Sequence, residues 1–390
     1  MFNINIEPLK VHSVEQDNVE IVERKGFGHP DTICNTVVDQ ISIEYFKKWK
    51  GHHNFDKALL SAGKSTPAFG GGKIERVPTF CLGDRATTIF NGEKVDVESL
   101  TKNTVENWFK ANMKNFPIPE YKSYLSEGSG DLRDIFSRDS GRFLPSNDTS
   151  AATGYAPFSK TENITMNLEK YLNSPAFKKE HPYSGQDIKI MTIRSGSNLN
   201  ITVAMAIIDR HVDSVKSYKT KIDEMTLDAL DYCENNYPDL VPTLRINALD
   251  NYTRGIDGLY LTVSGSSAEC GDSGQVGRGN NPVGVIPLNR PMSVEAASGK
   301  NSVSHIGKIY NHFCFHLSEK IYQAYKEKGL NTVYVWMVSQ IGRPINEPTV
   351  IYVKHNATKL NGEIKELISS EMENLDKFCL DLASGKRRSI

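Results

Sequence analysis

Apolar residues in this chain follow two periods, and the switches between them outline the fold. After Pro30, the residues Ile33, Val37, Ile41, Tyr45 and Phe46 fall on one face of a helix. Val105, Trp108 and Phe109 place another within the polar segment Asn91–Tyr124. Ser159-Lys160-Thr161-Glu162 has the pattern of a capping box and opens a helix through Ile164, Leu168 and Leu172. Tyr218, Ile222, Met225, Ala229 and Cys233 mark an amphipathic helix from Ser214 to Asn235. Val303, Ile306, Tyr310, Phe313, Leu317 and Ile321 mark another, to Lys326, and Ile364, Leu367, Ile368, Met372, Leu375 and Cys379 a last one. Between them, strands are expected at Val19–Val22, Leu59–Thr66, Gly258–Ser264, Thr332–Val338 and Thr349–Val353. Ile188–Ile193 and Leu199–Ile208 read as a hairpin turning at Ser195-Gly196-Ser197-Asn198. Strands and helices thus come in short alternating blocks with hairpins, not in regular βαβ repeats. The fold class is α+β, in roughly three blocks, each a sheet with helices on one face.

Where periodicity stops, chemistry is concentrated. The stretch Gly265–Tyr310 carries glycine at 265, 271, 274, 277, 279, 284, 299 and 307, too densely for a helix or strand interior. Among the glycines stand Asp272, Arg278, Arg290, Lys300, His305 and Lys308. Open backbone N–H groups beside fixed cations suit a polyanion, whereas a plain surface loop of this length would be uncommon. A second glycine turn, Lys25-Gly26-Phe27-Gly28-His29-Pro30-Asp31, joins a strand to a helix. Asp31 replaces the third glycine of a dinucleotide fingerprint; it would repel a bare phosphate but could hold a metal ion that bridges to one. The bland alternative is that His29 and Asp31 only cap the helix. Gly63-Lys64-Ser65 and Gly299-Lys300 fail as P-loops, because Ala58 and Val294 stand where the motif needs glycine. Phe69-Gly70-Gly71-Gly72 reads as a flexible loop. The segment from Gly128 to Pro157 is rich in small and acidic residues, which turn chemistry alone can explain.

Composition narrows the class. With 390 residues, 38% hydrophobic and 24% charged, the chain can bury a large core. Lys plus Arg is 46 against 47 for Asp plus Glu, a net charge of -1, which argues against nucleic acid as a partner and makes any anion site local. Six scattered cysteines without a C-x-x-C read as buried free thiols of a reducing compartment. The N-terminus lacks a signal pattern, and the longest apolar run, Ile201–Ile208, is too short for a membrane span, so a cytoplasmic protein without membrane contact is expected. His312 and His316 are four apart, but no Glu follows His312 as H-E-x-x-H requires; they read as helix-face histidines.

Three segments taken together carry a resemblance: Gly28-His29-Pro30-Asp31; Asn147-Asp148-Thr149-Ser150 with Gly154-Tyr155-Ala156; and RPMSVEAASGKN (290–301) followed by VSHIGKIYN (303–311). They resemble S-adenosylmethionine synthetase (methionine adenosyltransferase), specifically the branch typical of archaea, and the likeness extends over most of the chain. The resemblance implies three similar subdomains, each a mixed or antiparallel sheet backed by helices. Their approximate spans are 1–150, 151–250 and 251–390, interleaved in one integrated catalytic unit. It further implies that His29 lies beside the ribose O5′ of ATP, that Asp31 is a magnesium ligand, and that Asp148 and Asp272 lie by the substrates. Asn147, Thr149 and Ser150 flank Asp148 as substrate contacts. Arg278 and Lys300 match residues that grip the triphosphate. Where the common bacterial and eukaryotic branch has a lysine after that arginine, this chain has Gly279. Where that branch has a lysine and an acid after Lys300, this chain offers Ser304 and His305, so Lys308 and Lys64 are the cations expected to substitute. Mg²⁺ is implied. K⁺ is usual in the family, though no residue here speaks for it, and a homodimer with shared active sites is implied.

The residues fit this chemistry on their own terms. Joining ATP to L-methionine makes a neutral thioether displace triphosphate from C5′. The leaving group carries about four negative charges, and one pair of unit charges 4 Å apart is worth ~4 kcal/mol at a surface-like dielectric. Arg278, Lys300 and Lys308 supply cations, while Asp148 and Asp272 suit a sulfonium product. The residues alone leave open a small-molecule kinase, or a non-catalytic nucleotide-binding regulatory oligomer.

Overall fold

The computed structural model describes residues 2–9, 13–130, 135–136 and 142–387. Asp131, within the small and acidic segment, and Arg388, in the basic tail, lie outside the described residues. Three sheets each bury one face under helices, and each such sandwich has its own apolar core.

In the first, helix α1 (Pro30–Trp49) lays Ile33, Val37, Ile41 and Tyr45 on Phe55, Leu60, Phe80 and Leu82. Helix α2 (Val97–Asn112) packs beside it through Val105, Trp108 and Phe109. The sheet orders strands Glu120–Ser123, Thr79–Leu82, Ala58–Ser61 and Gly274–Gln275. The expected strand over Leu59–Thr66 is broken: Lys64–Thr66 leaves the sheet and pairs with Lys73–Arg76.

The second sheet is built on the long hairpin Ser184–Ser195 and Asn198–Ile208. Val19–Lys25 and Val241–Ile246 flank it, and Ile286–Pro287 adds to the edge. Helices α3 (Lys160–Leu172), α4 (Pro175–Glu180) and α5 (Val215–Asn236) cover it. Ser159 and Glu162 close the capping box read from the sequence. Instead of a full strand over Gly258–Ser264, a 3-10 segment, Tyr252–Gly258, is followed by only two paired residues, Leu261–Thr262.

The third sheet orders Ile4–Pro8, Val350–His355, Val333–Val338 and Ala151–Ala156 beneath α6 (Ile306–Tyr325), α7 (Asn361–Glu373) and α8 (Leu375–Ala383). Two helices replace the single C-terminal one expected. Ala151–Ala156 is a full strand where turn chemistry was expected. Its glycine has a packing cause: a Cβ on Gly154 would sit 2.3 Å from the Phe315 amide nitrogen, so α6 lies directly on the strand.

The three sandwiches are sewn together by the glycine-rich stretch. Gly274–Gln275 joins the first sheet, Ile286–Pro287 the second, and α6 the third. Arg290 anchors its middle in a buried ion pair with Glu162 at 2.8 Å, with the guanidinium 4.0 Å from the Tyr155 ring centroid. No helix among the described residues is long and apolar enough to cross a membrane.

Candidate active site

The residues singled out in the sequence fall into two groups along α1. The first surrounds the helix start. Gly26 and Gly28 let the turn run against the hairpin: a Cβ on Gly28 would lie 2.4 Å from the Gln186 carbonyl carbon. His29 is the N-cap, its Nδ1 accepting the Asp31 N–H at 3.2 Å. Nε2 therefore carries the ring proton. Burial lowers the His29 pKa to about 4, against the pull of Asp31, and Lys25 and Lys189 lower it further, so the imidazole is neutral near pH 7.

Asp31 is held on both oxygens. Oδ1 accepts the Gln275 N–H at 2.8 Å, and Oδ2 faces Lys25 Nζ at 2.8 Å. His29 lines a cavity of about 800 Å³ together with Asp187, Lys189, Leu249, Tyr260 and Asp272. Asp187 is buried and accepts both the N–H and the hydroxyl of Ser267; burial raises its pKa to about 6. Asp272 is raised by burial and by Asp31, so these carboxylates sense one another. Arg278 is exposed, on the same loop.

The second group lies further along α1 and at the start of α6. Ser42 Oγ donates to the Lys300 carbonyl at 3.1 Å, which fixes that backbone eleven residues beyond Asp31, about 16 Å along the helix axis. The Lys300 ammonium is buried between Glu295 and Asp56, the latter at 3.5 Å. His305 repeats the role of His29: it caps α6, its Nδ1 accepts the Gly307 N–H at 3.2 Å, and burial, then Lys300, drives its pKa well down. Asp148, Glu295 and His305 bring ligand atoms within 4.8 Å of one another. Asn147 is buried, with its side-chain amide unpartnered. The Thr149 hydroxyl accepts the Ile341 N–H, and the Ser150 N–H donates to Ser339 Oγ.

Two of the expected cations are committed elsewhere. Lys308 Nζ is buried against Asp39 Oδ1 at 2.6 Å, which also accepts the Gly299 N–H. Lys64 is exposed on its own hairpin and pairs with Glu75 at 2.7 Å. Neither lines the His29 cavity.

Sequence reasoning passed over several residues that the fold brings in. Asp187 and Lys189 alternate with the core residues Ile188 and Ile190 on the strand Ser184–Ser195, an ordinary in–out pattern that carries no signal of a site. Lys25 adjoins the glycine turn itself. Asp56, Arg85 and His52 gather with Lys300 around His305 from segments without any motif, and Asp84 stands beside Asp56; burial and Asp56 raise Asp84 to about 6. A further cavity of about 730 Å³ between α1 and α2 holds none of the expected site residues.

A solved structure sharing this fold is that of an unusual S-adenosylmethionine synthetase from Campylobacter jejuni, which aligns over 96% of this chain and 95% of its own with a TM-score of 0.60 at 16% identity. The profile of the S-adenosylmethionine synthetase (AdoMet synthetase) family matches residues 2–386. Curated relatives include the S-adenosylmethionine synthases of Methanothermobacter thermautotrophicus and Archaeoglobus fulgidus, each 36% identical over the full length of both chains. A probable S-adenosylmethionine synthase of Aquifex aeolicus is 38% identical over 96% of both. The chain belongs to the S-adenosylmethionine synthetase family.

Proposed function

We propose that the protein joins ATP and L-methionine into S-adenosylmethionine and cleaves the enzyme-bound tripolyphosphate to phosphate and pyrophosphate. The observation that carries this is a neutral histidine, its proton on Nε2, set at a helix start in the wall of a large cavity beside Asp31, Asp187 and Asp272. Displacement by the thioether builds negative charge on O5′ as its bond to carbon breaks. A hydrogen-bond donor fixed there acts mainly in that transition state. The carboxylates lower the energy of the sulfonium product. Arg278 and Lys300 are the cations assigned to the triphosphate; Lys64 and Lys308 would supplement them only on leaving Glu75 and Asp39. Asp148 with Asn147, Thr149, Ser150 and His305 forms the remaining substrate contacts.

The residues around Asp31 suit a hard divalent ion: Asp31 raises the pKa of Asp272, and a divalent ion between the two carboxylates would offset that repulsion. Mg²⁺ bound there would neutralise phosphate charge. K⁺ has no assigned residue. The two groups of site residues lie apart within one chain, which supports a homodimer whose active sites draw one group from each protomer. A cytoplasmic location fits the six free cysteines, although Cys270 is exposed and Cys81 half-buried rather than buried.

The test is product analysis after incubation with ATP, L-methionine and Mg²⁺. S-adenosylmethionine with phosphate and pyrophosphate is expected. ADP with an intact C5′–O bond, or binding without turnover, would reject the assignment.

A further inference from the structure

Asp31 already has a cation. Lys25 Nζ lies 2.8 Å from Asp31 Oδ2 and 2.5 Å from the Arg278 carbonyl oxygen, and its side chain is only 12% exposed. An ammonium and a divalent ion on the same carboxylate oxygen repel each other at contact distance, so each weakens the other's hold. A divalent ion gains the full charge of Oδ2 when the ammonium moves off.

The surroundings allow that departure. The main chain of Lys25 is clamped from both sides by one residue: Asn280 Oδ1 accepts the Lys25 N–H at 2.9 Å, and Asn280 Nδ2 donates to the Lys25 carbonyl at 2.7 Å. The Gln275 N–H on Oδ1 keeps the Asp31 carboxylate oriented without Lys25. A second carboxylate is within reach, since Glu23 Oε1 stands 4.0 Å from Lys25 Nζ. The side chain can therefore swing while its backbone and its partner stay fixed. When it leaves, the loop bearing Arg278 also loses a tether.

We propose that Lys25 is a resident counter-ion at Asp31: it keeps free divalent ions off the carboxylate and yields only when the ion arrives with a triphosphate. This rests on the reading of Asp31 as a metal ligand. The triphosphate supplies the negative charge that draws the ammonium away and releases the Arg278 loop toward the same anion. Metal and nucleotide then bind as one coupled event.

The experiment measures Mn²⁺ binding to the full chain by electron paramagnetic resonance, without nucleotide and with the non-hydrolysable β,γ-imido analogue of ATP. Without nucleotide, Lys25→Met is expected to bind Mn²⁺ at least tenfold tighter than wild type, and Lys25→Arg, which keeps the charge, as weakly as wild type. Adding Asp31→Asn to Lys25→Met is expected to abolish the gain. Lys25→Gln gives the same reading if the Met variant does not fold. Equal free Mn²⁺ affinity in wild type and a folded neutral variant overturns the proposal, even if Asp31→Asn weakens Mn²⁺ in the nucleotide complex. If Asp31→Asn changes Mn²⁺ binding in neither state, Asp31 is not a ligand, and the underlying reading fails along with the proposal.

Discussion

Each of the two capping histidines accepts a backbone N–H on Nδ1 and leaves Nε2 outside that bond. For His29 this separates two activities. If its Nε2–H meets O5′, His29→Ala is expected to slow S-adenosylmethionine synthesis by roughly 10²–10³, the scale for loss of one oxyanion donor. Hydrolysis of added tripolyphosphate, which breaks a P–O bond remote from C5′, is expected to fall far less. Arg278→Ala should impair both steps, because both need the polyanion held. Equal losses of the two activities in His29→Ala would make the histidine a structural or general phosphate contact. Asp187 allows a different measurement. Its pKa is about 6 in the folded chain and 3.8 as an ordinary carboxyl, so between those values the folded state holds a proton that the unfolded chain has released. Its contribution to stability is thus present at low pH and is lost as pH rises through that window, by on the order of 3 kcal/mol for two pH units. Relative to wild type, Asp187→Asn is expected to gain about that much between pH 4 and pH 7 in denaturant titrations without substrate. A pH-independent difference would show that Asp187 does not titrate there.

At the scale of elements, what was legible followed local periodicity. α1, α5 and α6 announced themselves through apolar spacing, and the capping box of α3 formed as read. The strand Ile4–Pro8 was not legible, because its partner, Val350–His355, lies at the other end of the chain and five residues alone carry little pattern. Ala151–Ala156 was masked by small residues that favour turns in isolation. Burial beneath α6 overrides that preference, and Gly154 is there for closeness rather than for flexibility. The clusters around His29 and Lys300 were half legible for the same reason: motif residues stood out, while Asp56, Asp84 and Asp187 acquire meaning only from burial. The strand reading has its own test. Gly154→Ala places a methyl against the α6 backbone, with no flexible side chain to yield, and is expected to cost about 1–3 kcal/mol or more in denaturant unfolding. An unchanged midpoint would mean that helix and sheet are not in that contact.

The molecule as a whole sets its site residues at two stations along one helix. His29, Asp31, Asp187 and Asp272 gather at one end of α1, while the Lys300 backbone is fixed on Ser42 further along it, its ammonium between Asp56 and Glu295 and with Asp148 and His305 beside Glu295. Two exposed apolar side chains stand beside these stations, Leu249 at 96% on the first cavity and Val294 next to Glu295. A two-fold dimer can bring the first station of one protomer against the second station of the other, forming two equal composite sites. The consequence is quantitative. His29→Ala and Lys300→Met are each expected to be inactive as homodimers; methionine keeps the bulk of Lys300 in its buried seat. Refolded together in equal amounts, half of the dimers carry one of each chain. In such a dimer one composite site has lost both residues and the other has lost neither, so the mixture is expected to recover about a quarter of wild-type activity, one intact site in four. If both residues served a site within a single chain, every site would lack one of them and mixing would recover nothing. Sedimentation of the mixture checks that dimers form. Dimers without recovered activity, or full wild-type activity from a monomer, would rule out the composite site.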